Sequence, residues 1–454
     1  MATVDTKTRP SWVLHPTWIV PVIPKNSVLE HHSLSIADGR IVAILPTEQA
    51  RLLDAEQHLD LPGQVLIPGF VNSHGHAAMS LFRGFADDVA LMTWLHQLIW
   101  PAETAFVSED FVRDGSDLAL AELALSGTTT VSDNYFFPNV MAERADRMGL
   151  RAQLCFPIID VPTAWAQQQE EYLAKGLALR DSYRDHDRIE VAFGPHATYS
   201  LEEQTLQRIA TLANELDAPI QIHLHETREE VLGSVERTGM RPIDHLEQLG
   251  LLGPRTQCVH MTALGDQDIE TIATQGAHVV HCPKSNLKLG SGICPAQRLL
   301  DQGINVALGT DGAASNNRLN MLNELQTASL LGKTAHGDPR ALDAWTTLEM
   351  ATLGGARAMG QQDRLGSIEV GKDADMIALD LSGVHHQPHY NLASSIVYAN
   401  SGSEVAWSWI AGKAVVRSGQ LCTLDLAELR ERAAAWSAKI TDFRATLEHS
   451  KHAN

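Results

Sequence analysis

The sequence predicts an α/β fold: a (β/α)8 TIM-type barrel carrying a small β-sandwich formed from both chain ends. Three observations lead there. Eight short β-rich runs alternate with helical stretches that are apolar on one face, which is the pattern of a parallel barrel. Seven of the eight runs finish on a histidine or an aspartate, as expected where strands deliver an active site to the C-terminal face of a barrel. Strand-like pieces without intervening helices stand before and after the alternation, so the two ends have only each other to pair with.

Taken in order, residues 1–68 hold strand-like pieces at 12–14, 33–37 and 40–44, with a turn at Asp38-Gly39. Residues 69–366 are expected to form the barrel. Its runs are 65–71, the first of them shared with the preceding unit, then 128–131, 151–156, 189–193, 219–222, 257–259, 277–280 and 304–308. Helical patterns at 201–216, 227–238, 266–275 and 319–331 separate the later ones. Residues 367–424 return to strands near 376–379, 404–410 and 414–417, completing the sandwich. In the tail, 425–454, Leu426, Leu429, Ala433, Trp436, Ile440, Phe443 and Leu447 recur at spacings of three and four. That spacing makes one apolar stripe, expected to dock a helix on its own domain.

The 454 residues are 44% hydrophobic and 20% charged, which suits a globular chain with a real core. A net charge of -20 opposes general nucleic-acid binding. The five cysteines are scattered without a Cys-x-x-Cys, so a reducing cytoplasm is the expected setting. Pro16, Pro21 and Pro24 break any apolar signal core, and no run is long enough to span a membrane.

Of the 21 histidines, those at strand ends matter most. The runs finish at His74 and His76, Asp133, His196, His223, His260, His281 and Asp311. His74 and His76 follow Pro68-Gly69 at the end of an apolar strand, and their alternation turns both imidazoles into the barrel mouth. His223 and Asp311 complete a set of three nitrogens and one carboxylate, suited to a borderline divalent metal with water in the open position. Glu226, three residues beyond His223, is placed to take a proton from that water, with His260 and Asp311 polarising it from the other side. Other apparent motifs fail. The P-loop-like stretch from Gly366 to Asp373 carries Asp373 where a hydroxyl belongs, and His225-Glu226 lacks the second zincin histidine because Glu229 stands there.

These residues resemble the amidohydrolase superfamily, and more closely its 5'-methylthioadenosine/S-adenosylhomocysteine deaminases. The likeness runs through Pro68 to His76, Arg83-Gly84, Trp94, Glu103, Gly194-Pro195-His196, His223 to Thr227, Val259-His260, His281 to Leu289, and Leu308 to Asn317. It implies His74, His76, His223 and Asp311 as metal ligands and Glu226 and His260 as the proton-transfer and orienting pair. It further implies Glu103 as acceptor of the ribose diol, His196 as a nucleoside-binding residue and Trp94 as an aromatic wall. Some members carry two metals bridged by a carboxylated lysine. No lysine lies between Lys175 and Lys284, so one ion per subunit is expected, Zn2+ by geometry with Fe2+ or Mn2+ as alternatives.

The expected reaction is hydrolytic deamination of the adenine ring of 5'-methylthioadenosine, S-adenosylhomocysteine or adenosine to hypoxanthine, with release of ammonia. Glu226, Glu103 and Asp311 would touch the substrate. The alternatives are another amidohydrolase, such as a guanine or cytosine deaminase or a triazine chlorohydrolase, and an inactive scaffold barrel. The expected partner is a small purine nucleoside, with no nucleic acid or membrane, in a homo-oligomer.

Overall fold

The structure is a computed structural model that describes residues 9–452, with side-chain surroundings through residue 446. Eight parallel strands follow one another around a barrel: β1 Phe70–Gly75, β2 Thr128–Asp133, β3 Arg151–Ile158, β4 Ile189–Pro195, β5 Ile220–Leu224, β6 Thr256–His260, β7 His278–His281 and β8 Val306–Leu308. Side chains alternate along each. On β5 the apolar Ile220, Ile222 and Leu224 pack outward in the core, while Gln221 and His223 point inward.

The first run divides differently from the expectation of one strand over 65–71. His58–Pro68 belongs to the end sheet, and β1 starts only at Phe70. Pro68 offers no N–H to continue a ladder. At Gly69 the chain crosses so close to β2 that a Cβ would sit 2.2 Å from Thr129 Oγ1, which only glycine avoids.

Between β8 and β1 the barrel is joined by side chains. The Thr310 N–H donates to Asn72 Oδ1 at 2.9 Å, and Asn72 Nδ2 donates to Thr310 Oγ1 at 2.8 Å. The Asp311 N–H donates to the His74 carbonyl at 3.0 Å. Across the interior, below the site, runs a chain of buried amides. Gln221 Nε2 donates to Gln257 Oε1 at 2.7 Å, Gln257 Nε2 to Gln153 Oε1 at 2.8 Å, and Gln153 Nε2 to Glu190 Oε2 at 3.0 Å. Within this chain each amide meets its neighbour's need.

Both chain ends share one nine-stranded mixed sheet. His58–Pro68 runs parallel to Trp12–Ile19 on one side and antiparallel to Met376–Asp380 on the other. The sheet curls until its halves face each other: Trp12 from the N-terminal half meets Trp407 and Trp409 from the C-terminal half, each edge-on at 6.1 Å. Buried Arg151 at the foot of β3 fastens this sheet to the barrel. Its Nε donates to Asp375 Oδ2 at 2.7 Å and its Nη2 to Asp373 Oδ2 at 2.8 Å. Removing it strands two buried carboxylates, one of which keeps Arg364 as a partner. Arg151→Ala should therefore lower stability by about 3–5 kcal/mol in urea unfolding, with the barrel's secondary structure retained below the transition.

Helix α1, Glu109–Leu125, packs behind the mouth, and the tail forms helix α2, Leu426–His452. The tail stripe meets the barrel at α1. Leu429 and Ile440 are buried, and Trp436 lies edge-on to Phe111 while its Nε1 donates to Asp114 Oδ2 at 2.8 Å. The side chain of Leu447 lies outside the described residues.

Candidate active site

All the strand-end donors proposed as ligands meet at the barrel mouth. His74 donates from Nδ1 to Gln221 Oε1 at 2.7 Å, His76 to the Asn134 carbonyl at 2.5 Å, and His223 to the His196 carbonyl at 2.7 Å. With the proton committed to Nδ1, each ring presents a lone pair at Nε2. The Nε2 atoms of His74 and His223 are 3.2 Å apart, and Asp311 Oδ1 lies 3.4 Å from that of His74 and 3.2 Å from that of His76. Their donor atoms fall into two overlapping triads, His74–His76–Asp311 and His74–His223–His260, each with its three atoms within 4.8 Å of one another, which is donor chemistry suited to a divalent ion, so these residues fit a metal. The electrostatics divide the set: His223 is held neutral, whereas Asp311 draws His76 toward its cationic form. Burial holds His223 well below its ordinary pKa, leaving a neutral ligand. Burial opposes charge on His76 too, but hydrogen bonding and attraction from Asp311 outweigh it and raise His76 to about 9. Burial likewise opposes ionisation of Asp311, and its bonds with His74 and His76 nonetheless hold it well below the usual carboxylate range. The position beside Asp311 thus favours positive charge.

Asp311 is held from behind: its Oδ2 accepts from Ser285 Oγ at 2.6 Å and Ser315 Oγ at 3.0 Å, and its Oδ1 from the Gly312 N–H at 2.8 Å. Asp311, His225 and His260, at or just past strand ends of this site, have φ of 59°, 51° and 77°, an uncommon conformation for non-glycine residues.

Glu226 is buried, and its carboxyl is raised well above the usual range by burial first and then by the charges of Asp311 and Glu230. Its Oε2 lies 3.7 Å from His260 Nε2, and Ser291 Oγ donates to its Oε1 at 3.3 Å. Asn286 Nδ2 donates to His260 Nδ1 at 3.0 Å, which leaves the ring proton on Nε2, facing Glu226. Burial lowers His260 to about 3, so the ring is neutral.

The mouth opens into an inner cavity of about 100 Å³ that continues past Trp100, Glu103 and Tyr199 into an outer one of about 850 Å³. Trp94, Glu103 and His196 line the inner cavity together with His76, Glu226 and Asp311. Trp94 and Glu103 come from the helical stretch Leu91–Phe106, which takes a wide π-type turn at Leu95–Ile99 just before Pro101, whose missing N–H breaks the regular ladder. Tyr135 donates its hydroxyl to Glu103 Oε1 at 2.7 Å, and burial raises the Glu103 carboxyl to about 7. Burial, with the nearby His76 and His74, lowers His196 to about 4.

Two strand-end residues in the sequence pattern do other work. Asp133 Oδ1 accepts the Ala77 N–H at 2.6 Å, bracing the turn after His76, and His281 is buried without lining either cavity. Conversely, sequence reasoning missed Gln221, Tyr135, Asn286 and Glu230. Gln221 carries a signal, since it stands two residues before His223 and so shares its face. Glu230 carries another, the Thr-x-x-Glu spacing of a helix start: it accepts the N–H groups of His225 at 3.1 Å and Glu226 at 2.7 Å and so fixes the backbone that carries the Glu226 carboxyl.

Comparison with known proteins agrees with this geometry. The sequence profile described as "Amidohydrolase family" matches residues 65–415. A protein of Teredinibacter turnerae described as 5-methylthioadenosine/S-adenosylhomocysteine deaminase is 51% identical over 94% of this chain and 97% of its own. A 5'-deoxyadenosine deaminase of Methanothermobacter thermautotrophicus is 40% identical over 90% of this chain and 95% of its own. The crystal structure of an adenosine deaminase from Xanthomonas campestris with bound zinc superposes with a TM-score of 0.94 at 45% identity, covering 96% of this chain and 99% of that one. With a profile spanning most of its length and relatives of this identity over nearly all of it, the chain belongs to the amidohydrolase family and is a hydrolase acting on carbon–nitrogen bonds.

Proposed function

We propose that the protein hydrolytically deaminates the adenine ring of 5'-substituted adenosines, with 5'-methylthioadenosine and S-adenosylhomocysteine as the substrate class. The observation that carries this reading is Glu103, a carboxylate at the neck between the inner cavity, which holds the acid–base groups, and the roomier outer one. A ring bound at Glu226 and Asp311 places a ribose at that neck, where a carboxylate can accept both hydroxyls. The 5' substituent then enters the outer cavity, whose wall is largely apolar at Leu91, Val107, Phe136 and Val161, with the Arg237 guanidinium among its lining groups. The relatives described as 5-methylthioadenosine/S-adenosylhomocysteine and 5'-deoxyadenosine deaminases support the same class.

His74, His76, His223 and Asp311 are the residues that would hold one zinc ion, which when bound supplies Lewis acidity that makes water nucleophilic near neutral pH. Glu226, acting as its carboxylate, takes one proton from the attacking water and passes it to ring N1 as the oxygen bonds to C6. The His260 Nε2–H donates toward the new oxygen, stabilising the tetrahedral carbon. Asp311 accepts the remaining hydroxyl proton and returns it to the exocyclic nitrogen. The C6–N bond then breaks, ammonia leaves and C6=O remains. His196 stays neutral and offers the sugar side a hydrogen-bonding nitrogen, while Trp94 walls the ring.

The test is the ultraviolet change from adenine to hypoxanthine with 5'-methylthioadenosine, S-adenosylhomocysteine, adenosine, free adenine, guanine and cytosine. Turnover of the nucleosides is expected. Inactivity on all adenosines in metal-replete enzyme would overturn the assignment. Glu103→Gln should raise KM for the nucleosides about 10- to 100-fold, the worth of a charged hydrogen bond, without comparably harming any free-base turnover. Glu103 is ionised above and protonated below about 7, so nucleoside KM should rise as pH falls through that value in the wild type. This limb should be missing in Glu103→Gln.

A further inference from the structure

Far along the chain from the catalytic residues, the segment between strand Met376–Asp380 and the next helical turn reads Val384-His385-His386-Gln387-Pro388-His389. Its short 3-10 turn, Val384–His386, brings two consecutive imidazoles toward the start of strand Val405–Ile410, where Glu404 waits. One donor atom from each of His385, His386 and Glu404 lies within 4.8 Å of the others, and His385 Nε2 is 3.5 Å from Glu404 Oε1. The two rings are 4.1 Å apart. A Cβ at Gly383 would lie 2.8 Å from His385 Cε1, so a larger residue there would push the His385 ring aside.

His386 is only 3% exposed, yet neither of its ring nitrogens has a hydrogen-bond partner among the described residues. Buried polar atoms are ordinarily partnered, so an imidazole left this way points to a ligand. Glu404 is already positioned to serve one. Its carboxylate is fixed by the Ser401 N–H at 3.1 and 3.2 Å and by Ser401 Oγ at 3.0 Å, which leaves acceptor capacity facing the histidines. Two imidazoles and a carboxylate form a zinc-type donor set that leaves a position for water, and half-exposed His385 admits it. None of the three lines the catalytic cavities.

We propose that His385, His386 and Glu404 bind a second divalent transition-metal ion of the zinc class, which ties the 381–391 segment to the strand beginning at Val405. The ion is structural and separate from the catalytic set.

The test uses the untagged, full-length holoenzyme dialysed against micromolar zinc, with metal per subunit measured by plasma mass spectrometry and unfolding followed with and without zinc. His385→Ala is the main variant, because its exposed side chain can be lost without disturbing the core. Glu404→Gln, which keeps an oxygen for Ser401, is the second. The wild type should retain one more equivalent of zinc than either variant and unfold several degrees higher when zinc is added. Neither variant should show that rise, and kcat on 5'-methylthioadenosine should stay within about twofold throughout. Equal metal content in wild type and His385→Ala, or the same zinc-induced shift in both, overturns the proposal.

Discussion

Glu226→Gln is expected to bind its metal normally and to lose about 10³- to 10⁴-fold in kcat, at the upper range of what general acid–base catalysis supplies. Glutamine fills the same space and keeps an oxygen near Ser291 Oγ, so the cavity need not collapse. What disappears is the ability to hold and release a proton between the attacking water and ring N1. Because the four proposed ligands exclude Glu226, metal content measured on the same sample should match the wild type. KM should change by only a few-fold. A variant that loses metal in proportion to activity would show that the carboxylate acts as a ligand, and substantial residual turnover would remove it from the proton path altogether.

Asp311→Asn should be comparably damaging, but with a different signature. The amide can keep its NH2 toward the Ser285 and Ser315 hydroxyls and its oxygen toward the histidines, so the fold tolerates it. The charge that draws a cation to His74 and His76 is gone, as is the acceptor for the second proton. Activity should fall at least about 10³-fold, and bound metal should be lost on dialysis against a mild chelator that leaves the wild type loaded. Excess zinc should restore occupancy without restoring the rate, because an amide cannot take up the proton. Full recovery of rate on zinc addition would confine Asp311 to holding metal.

The barrel could be read from the sequence because each strand writes its period and its ending in the residues themselves. His223 and Asp311 stand at strand ends where function puts polar groups in an otherwise apolar run, and that contrast survives in one dimension. The split of the run from Val65 to Val71 into strands of two different sheets was not legible, although the unit boundary expected between residues 68 and 69 falls at its Pro-Gly pair. The supporting groups were harder still. Tyr135 reaches Glu103 across two elements, and Asn286 reaches His260 from a helix after the following strand. Such pairings depend on where whole elements land, which no local spacing encodes. The same holds for the strand-end pattern's two exceptions, Asp133 and His281. Their types fitted the pattern, while their roles depend on which way the backbone turns after the strand.

The seam between Asn72 and Thr310 has a consequence for how the enzyme is made. Those residues are 238 apart in sequence, so the contact that joins β1 to β8 closes a long loop, though the pairing of His58–Pro68 with Met376–Asp380 encloses it in a longer one. Closing it costs entropy that only the finished barrel repays, which places it among the slow, late events of folding. During synthesis, His74, His76 and His223 leave the ribosome well before Asp311 exists. The unfinished chain therefore presents no complete ligand set with which to capture a stray ion. Capture of an ion by the four proposed ligands is thereby tied to barrel closure, and its rate can be followed as a clock for that step.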